Sequence, residues 1–109
     1  MIRIWFYFRE TIGTDAERLR TQAKYAADAR GMELAGCTVE PAGRNMLPRP
    51  GVQEIIDAAQ RQTFDVLLTP AIDHFSRRRW ELEPFLAVLP ENGIVLRTEA
   101  GVIRMPETV

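Results

Sequence analysis

The stretch that most constrains this chain is Ile4-Trp5-Phe6-Tyr7-Phe8, an unbroken run of large apolar and aromatic residues bracketed by Arg3 and Arg9. A strand without polar alternation has no face to give to water. It belongs inside a sheet covered by helices on both sides, and such sheets are mostly parallel. Arg9, Glu10 and Thr11 then stand at the carboxyl end of a central strand, where open α/β sheets place their binding crevice. Opposite charges and a hydroxyl are gathered there within three positions.

The remaining chain supplies the layers. Thr14 and Glu17 have the capping-box spacing, and Leu19, Ala23, Ala26 and Ala27 form the apolar stripe of a first helix ending near Arg30 and Gly31. Met32 to Val39 predicts a second strand that packs Leu34, Cys37 and Val39; it is less apolar than the first and therefore nearer the sheet edge. Glu40 to Pro50 is a loop with three prolines and a glycine, in which Arg44 and Arg49 are the only charges besides Glu40. Val52, Ile55, Ile56 and Ala59 predict a second helix to about Gln62, and Phe64 to Thr69 a short buried strand stopped by Pro70.

Ala71 to Arg79 is the densest charged patch, with Asp73 and His74 ahead of Arg77, Arg78 and Arg79. Ser76 can cap a third helix that carries Trp80, Phe85, Leu86 and Leu89, with Pro84 tolerated only near its first turn or at a kink. Gly93 to Leu96 predicts a fourth strand, and Val102 to Met105 a short last one. The expected architecture is α/β: a mostly parallel sheet of four strands plus a short edge strand, with helices on both faces. Right-handed crossovers bring the loops after the first and third strands to one edge. Thr11 can therefore meet Asp73, His74 and Arg77, with the proline-rich loop opening from the same edge. A hydroxyl among several arginines suits an oxyanion or a phosphodiester.

Composition sets bounds on that reading. With 109 residues the chain is expected to form one domain, with no room for a separate recognition domain. Fourteen basic against 15 acidic residues give a formal charge of -1, so any attraction to nucleic acid rests on local clustering. All basic residues but Lys24 are arginine, which fits bidentate recognition of phosphate and equally fits a compositional bias. One cysteine, Cys37, and one histidine offer no disulfide and no structural zinc, which points to the cytoplasm without a cofactor. No segment approaches the apolar length of a membrane span.

These residues carry a resemblance. Tyr7 to Thr11, YFRET, resembles the strand-one motif Tyr-x-Arg-x-Ser of the serine recombinases, the resolvases and invertases. Gln22 falls where their first helix carries a glutamine, and Arg49-Pro50-Gly51 resembles the Arg-Pro-Gly that opens their second helix. FDVLL followed by Asp73, His74, Phe75, Ser76 and Arg77 resembles their buried strand and Asp-Arg-Leu-x-Arg. The resemblance implies a resolvase-like three-layer sandwich over residues 1–109, without the family's DNA-binding domain.

It also implies a chemistry, in which a serine hydroxyl attacks a DNA phosphodiester, a phosphoseryl link forms, arginines stabilise the transition state, and subunits of a tetramer exchange strands. Thr11 matches the nucleophile, Arg9, Arg49 and Arg77 the phosphate-contacting arginines, Asp73 the orienting acid and Gln22 a supporting residue, with Arg44 a further candidate. Two positions depart from the pattern. Thr11 replaces serine, adding a β-branch that hinders approach to phosphorus. His74 replaces an arginine, and loss of one transition-state donor costs about 3 kcal/mol. The expectation is a recombinase-type catalytic domain that is inactive or severely impaired, binds DNA weakly, and is a monomer or weak dimer. The alternatives are a non-catalytic module that pairs with itself or with a related recombinase, and a binder of small anions or nucleotides.

Overall fold

The computed structural model describes residues 1–10, 15–41, 50–70, 79–98 and 101–102. In chain order they form β1 (Arg3–Arg9), α1 (Ala16–Ala29), β2 (Glu33–Glu40), α2 (Pro50–Gln60), β3 (Val66–Leu68), α3 (Arg79–Glu91), β4 (Val95–Thr98) and β5 (Gly101–Val102). The sheet order is β2-β1-β3-β4-β5. The pairs β1–β2, β1–β3 and β3–β4 are parallel, and β5 runs antiparallel to β4. This is the expected α/β architecture, with β1 inside the sheet and β2 at its edge.

The β1 run is apolar throughout because both of its faces are covered. Ile4, Phe6 and Phe8 pack with Ala23 and Ala27 of α1 and with Val66 and Leu68 of β3. Tyr7 packs on the other face with Val52, Ile55 and Ala59 of α2 and Phe85 and Leu89 of α3, and Trp5 lies partly buried against that cluster. One helix therefore covers one face and two cover the other. Full burial of each large apolar side chain is worth roughly 1.5–3 kcal/mol. At the amino edge, Arg3 Nε and Nη2 donate to the Asp65 carboxylate at 3.2 and 3.1 Å and the Arg3 backbone N–H donates at 2.8 Å. The backbone of Asp65 continues the tie, its N–H donating to Arg3 O at 2.8 Å and its carbonyl accepting from Val95 N at 3.1 Å.

The helix ends correct several sequence boundaries. Asp15, not Thr14, caps α1: its backbone is extended and its side chain accepts from Arg18 N. Aspartate serves this position at least as well as threonine, and Glu17 then sits in the first turn, where its charge complements the helix dipole. Helix α1 stops where Met32 N reaches back to Ala27 O, and α3 where Ile94 N reaches back to Leu89 O. Gly31 and Gly93 take the left-handed conformation between, at φ +66° and +72°. Gly93 therefore belongs to a helix stop, and β4 begins two residues later than expected. At the end of α2 the same bonding, Thr63 N to Ala58 O, forces the non-glycine Gln62 to φ 55°.

Leu34 is 37% exposed, against the expectation of packing. It lies on the edge strand ahead of a register irregularity between Ile4 and Trp5, where it has a neighbouring strand on one side only. Phe85 of α3 is 3% exposed. Helix α3 runs through Pro84, which is exposed, so the missing N–H falls on the solvent side. Among the described residues no helix is long and apolar enough to cross a membrane.

Candidate functional site

The chain leaves β1 toward β2 on one side, returns across β1 to β3 on the other, and so reverses direction between β1 and β3. In a parallel sheet this reversal sends the flanking helices to opposite faces and opens a crevice at the carboxyl ends of the two strands. Arg9 closes β1 on that crevice, and Thr69 and Pro70 follow β3 on its other bank. The two segments singled out from sequence thus leave the sheet from adjacent strands.

Arg9 is half-buried and stands in register with Glu40 at the end of β2, and Glu10 N donates to Glu40 O at 2.9 Å. Glu40 is 2% exposed. Its Oε2 accepts a long bond of 3.4 Å from Gly51 N in the first turn of α2. Its Oε1 is buried with no hydrogen-bond partner among the described residues. A carboxylate at a helix N-terminus is favoured by the helix dipole, and a buried oxygen without a donor is costly. Gly51 permits the approach, since a Cβ there would overlap the Glu40 carboxylate and come within 2.7 Å of Thr38 Cγ2.

Beneath this turn lies a chain of polar contacts. Trp5 Nε1 donates to Thr38 Oγ1 at 2.9 Å, and Thr38 Oγ1 donates to Glu54 Oε1 at 2.6 Å. The indole ring rests over Gly36, where a Cβ would lie 2.5–2.6 Å from three ring carbons. It tilts against Phe64 with the centroids 5.3 Å apart.

Of the residues proposed from sequence, Arg9 and Gln22 are described. Thr11, Arg44, Arg49, Asp73, His74 and Arg77 lie outside the described residues. Strand alternation puts Arg9 on the face of Trp5 and Tyr7, toward α2 and α3. Gln22 is exposed on α1 and borders a cavity of about 240 Å³ with Phe6, Phe8, Ala26, Arg30, Leu68 and Pro70. The two therefore stand on opposite faces of β1. Glu40 is the polar group that sequence reasoning passed over, read as the first residue of a loop. The available signal was its place at the end of a strand parallel to the one ending in Arg9.

Burial raises the Cys37 thiol above its ordinary pKa, opposed by the charge of Arg20 and assisted by that of Glu54. Cys37 thus behaves as a partly packed, protonated residue of β2. Among the described residues no group of three His, Cys, Asp or Glu side chains is placed to hold a metal ion.

Residues 6–108 match the family model described as Resolvase, N terminal domain. No curated protein matches. Several solved structures are similar to this chain. The N-terminal catalytic domain of TP901-1 integrase is 20% identical over 88% of this chain and 75% of that one, with a TM-score of 0.69. The C-terminal catalytic domain of ISC1926 TnpA, an IS607-like serine recombinase, is 19% identical over 89% of this chain and 69% of that one, with a TM-score of 0.72. A resolvase family site-specific recombinase from Streptococcus pneumoniae is 16% identical over 100% of this chain and 78% of that one, with a TM-score of 0.74. At these identities the likeness is one of fold. With the family match running from within β1 almost to the last residue, on that same fold, the chain belongs to the resolvase N-terminal domain family.

Proposed function

We propose that this chain is a catalytic-type domain of a site-specific serine recombinase, that it receives a DNA phosphodiester at the carboxyl edge of β1 and β3, and that it is inactive or severely impaired in cleaving that bond. The observation that carries the reading is the family match over residues 6–108, which spans both charged segments. It is supported by a strand order that sets the ends of β1 and β3 side by side.

In this reading the Thr11 hydroxyl attacks phosphorus, a deoxyribose oxygen leaves, and a phosphothreonyl link preserves the ester. Arg9, Arg49 and Arg77 neutralise the phosphoryl oxygens, with Arg44 as a further donor, and Asp73 orients the group. Gln22 supports it from α1. The chemistry requires no cofactor. The impairment comes from the β-branch of Thr11, since a misplacement of about 1 Å costs about a hundredfold, and from His74 in place of a guanidinium fork. The partners are DNA and a second recombinase subunit, and the compartment is the cytoplasm.

Titration of short duplex DNA across a salt series tests the binding half. Three arginines on phosphates give a slope of log affinity against log salt of about -3, and Arg9→Ala reduces it by about one. No binding at low salt, or a slope indifferent to Arg9→Ala, would overturn this part of the reading.

A further inference from the structure

We propose that Glu54 is a positioning residue that fixes the first turn of α2 against the sheet and so sets where that turn meets a phosphate beside Arg9. The inference deepens the reading above and rests on it.

Thr38 is buried, at 5% exposure. Its two branches touch successive turns of one helix. The methyl lies under Gly51, where a Cβ would come within 2.7 Å of it, and the hydroxyl donates to Glu54 Oε1 at 2.6 Å. Residues three apart share a helix face, so Gly51 and Glu54 form a two-point seat on β2. The direction of the bonding is fixed by chemistry. An indole N–H can only donate and an ionised carboxylate can only accept, so the single Thr38 proton must go to Glu54 while Thr38 Oγ1 receives Trp5 Nε1. A short bond to a charged acceptor is of the stronger kind.

Trp5 anchors the other end. Its ring is set over Gly36 and against Phe64, and it sits four residues before Arg9 on the same strand. The series Trp5–Thr38–Glu54 thus joins β1, β2 and α2. It holds the α2 N-terminus, with Gly51 N on Glu40, next to the strand end that carries Arg9. Glu54 carries a charge that would repel DNA, and its hydrogen bond gives that position a reason to be acidic.

The sign of the charge makes the proposal testable with Glu54→Gln, Glu54→Leu and Thr38→Val in the full chain. Removing a carboxylate near a phosphate site raises DNA affinity by Coulomb's law, whereas releasing α2 lowers it. Glu54→Gln keeps an acceptor for Thr38 Oγ1. It is expected to retain the Trp5 indole N–H resonance and the exchange protection of the helix-bonded α2 amides from Glu54 to Ala58, and to bind short duplex DNA as well as or better than the parent. Glu54→Leu is expected to shift the indole resonance and to speed exchange in α2, but not in α1 or β4. The expected factor is about three to ten, with a similar loss of DNA affinity. Thr38→Val should copy it with the charge retained. Equal gains in affinity for Glu54→Gln and Glu54→Leu, or exchange that rises uniformly across the fold, would overturn the proposal. Should the parent fail to bind DNA, the functional reading falls. The exchange pattern still decides the positioning: acceleration confined to α2 and restored by glutamine upholds it, and an unchanged α2 overturns it.

Discussion

Gly36→Ala measures how tightly β1 and β2 are joined around the indole. A methyl at Gly36 would stand 2.5 Å from Trp5 Cζ3 and 2.6 Å from Cε3 and Cη2, well inside contact distance. The ring cannot turn aside freely, because Phe64 lies against it and its N–H is held by Thr38 at 2.9 Å. Overpacking of this kind costs about 1–3 kcal/mol, and a displaced indole loses a hydrogen bond worth about 0.5–1.5 kcal/mol. Against that, alanine restricts the unfolded chain and returns about 0.4–1 kcal/mol. The net expectation is a loss of about 2 kcal/mol, which for a domain of this size lowers Tm by roughly 10 °C. Urea unfolding followed by circular dichroism reads the free energy. Trp5→Leu removes the obstructing ring, so in that background Gly36→Ala should cost at least about 1 kcal/mol less. A Gly36→Ala protein as stable as the parent, or strict additivity with Trp5→Leu, would refute the reasoning.

Three further outcomes are expected. Gln62→Gly should stabilise the fold by about 0.5–1 kcal/mol in the same assay, because Gln62 holds φ 55° at a cost of about 1–2 kcal/mol, only partly offset by the added freedom of glycine when unfolded. The Arg3 guanidinium and backbone N–H hold the Asp65 carboxyl below its ordinary pKa. The stability this contributes should be complete above about pH 5 and lost as pH falls below about 4 through the folded-state pKa, and acid unfolding of Asp65→Asn should lack that component. Cys37, its thiol pushed up by burial, should react slowly with iodoacetamide at neutral pH and faster as pH rises, while the urea-unfolded chain reacts at the rate of a free thiol.

The elements were legible where one physical cause dominated. The aromatic run of β1 could be satisfied only inside a covered sheet, and the apolar spacing of α2 identified Val52, Ile55 and Ala59, all now buried. Boundaries slipped where two roles competed for a residue, as at Gly93, which reads equally as strand start or helix stop until the bond from Ile94 N to Leu89 O is seen. The site was less legible. Arg9 could be placed because it ends a strand whose position followed from its composition. Glu40 could not, since an acid followed by Pro41 reads as the start of a loop, and its burial depends on α2 folding back over β2. Trp5 was readable as core, but its tie to Glu54 joins residues 49 positions apart through Thr38, a coincidence of register that periodicity does not encode.

Covalent trapping distinguishes a phosphodiester site with a damaged nucleophile and one missing arginine from an intact one. The chain is incubated with suicide-substrate DNA containing its cognate site, and protein–DNA adducts are counted on a denaturing gel for the parent, for Thr11→Ala, and for Thr11→Ser combined with His74→Arg. No detectable adduct is expected for the parent or for Thr11→Ala, and an adduct is expected for the double substitution. A parent adduct that disappears in Thr11→Ala would contradict the impairment, and a double substitution as inert as the parent would contradict the claim that the damage is confined to those two side chains.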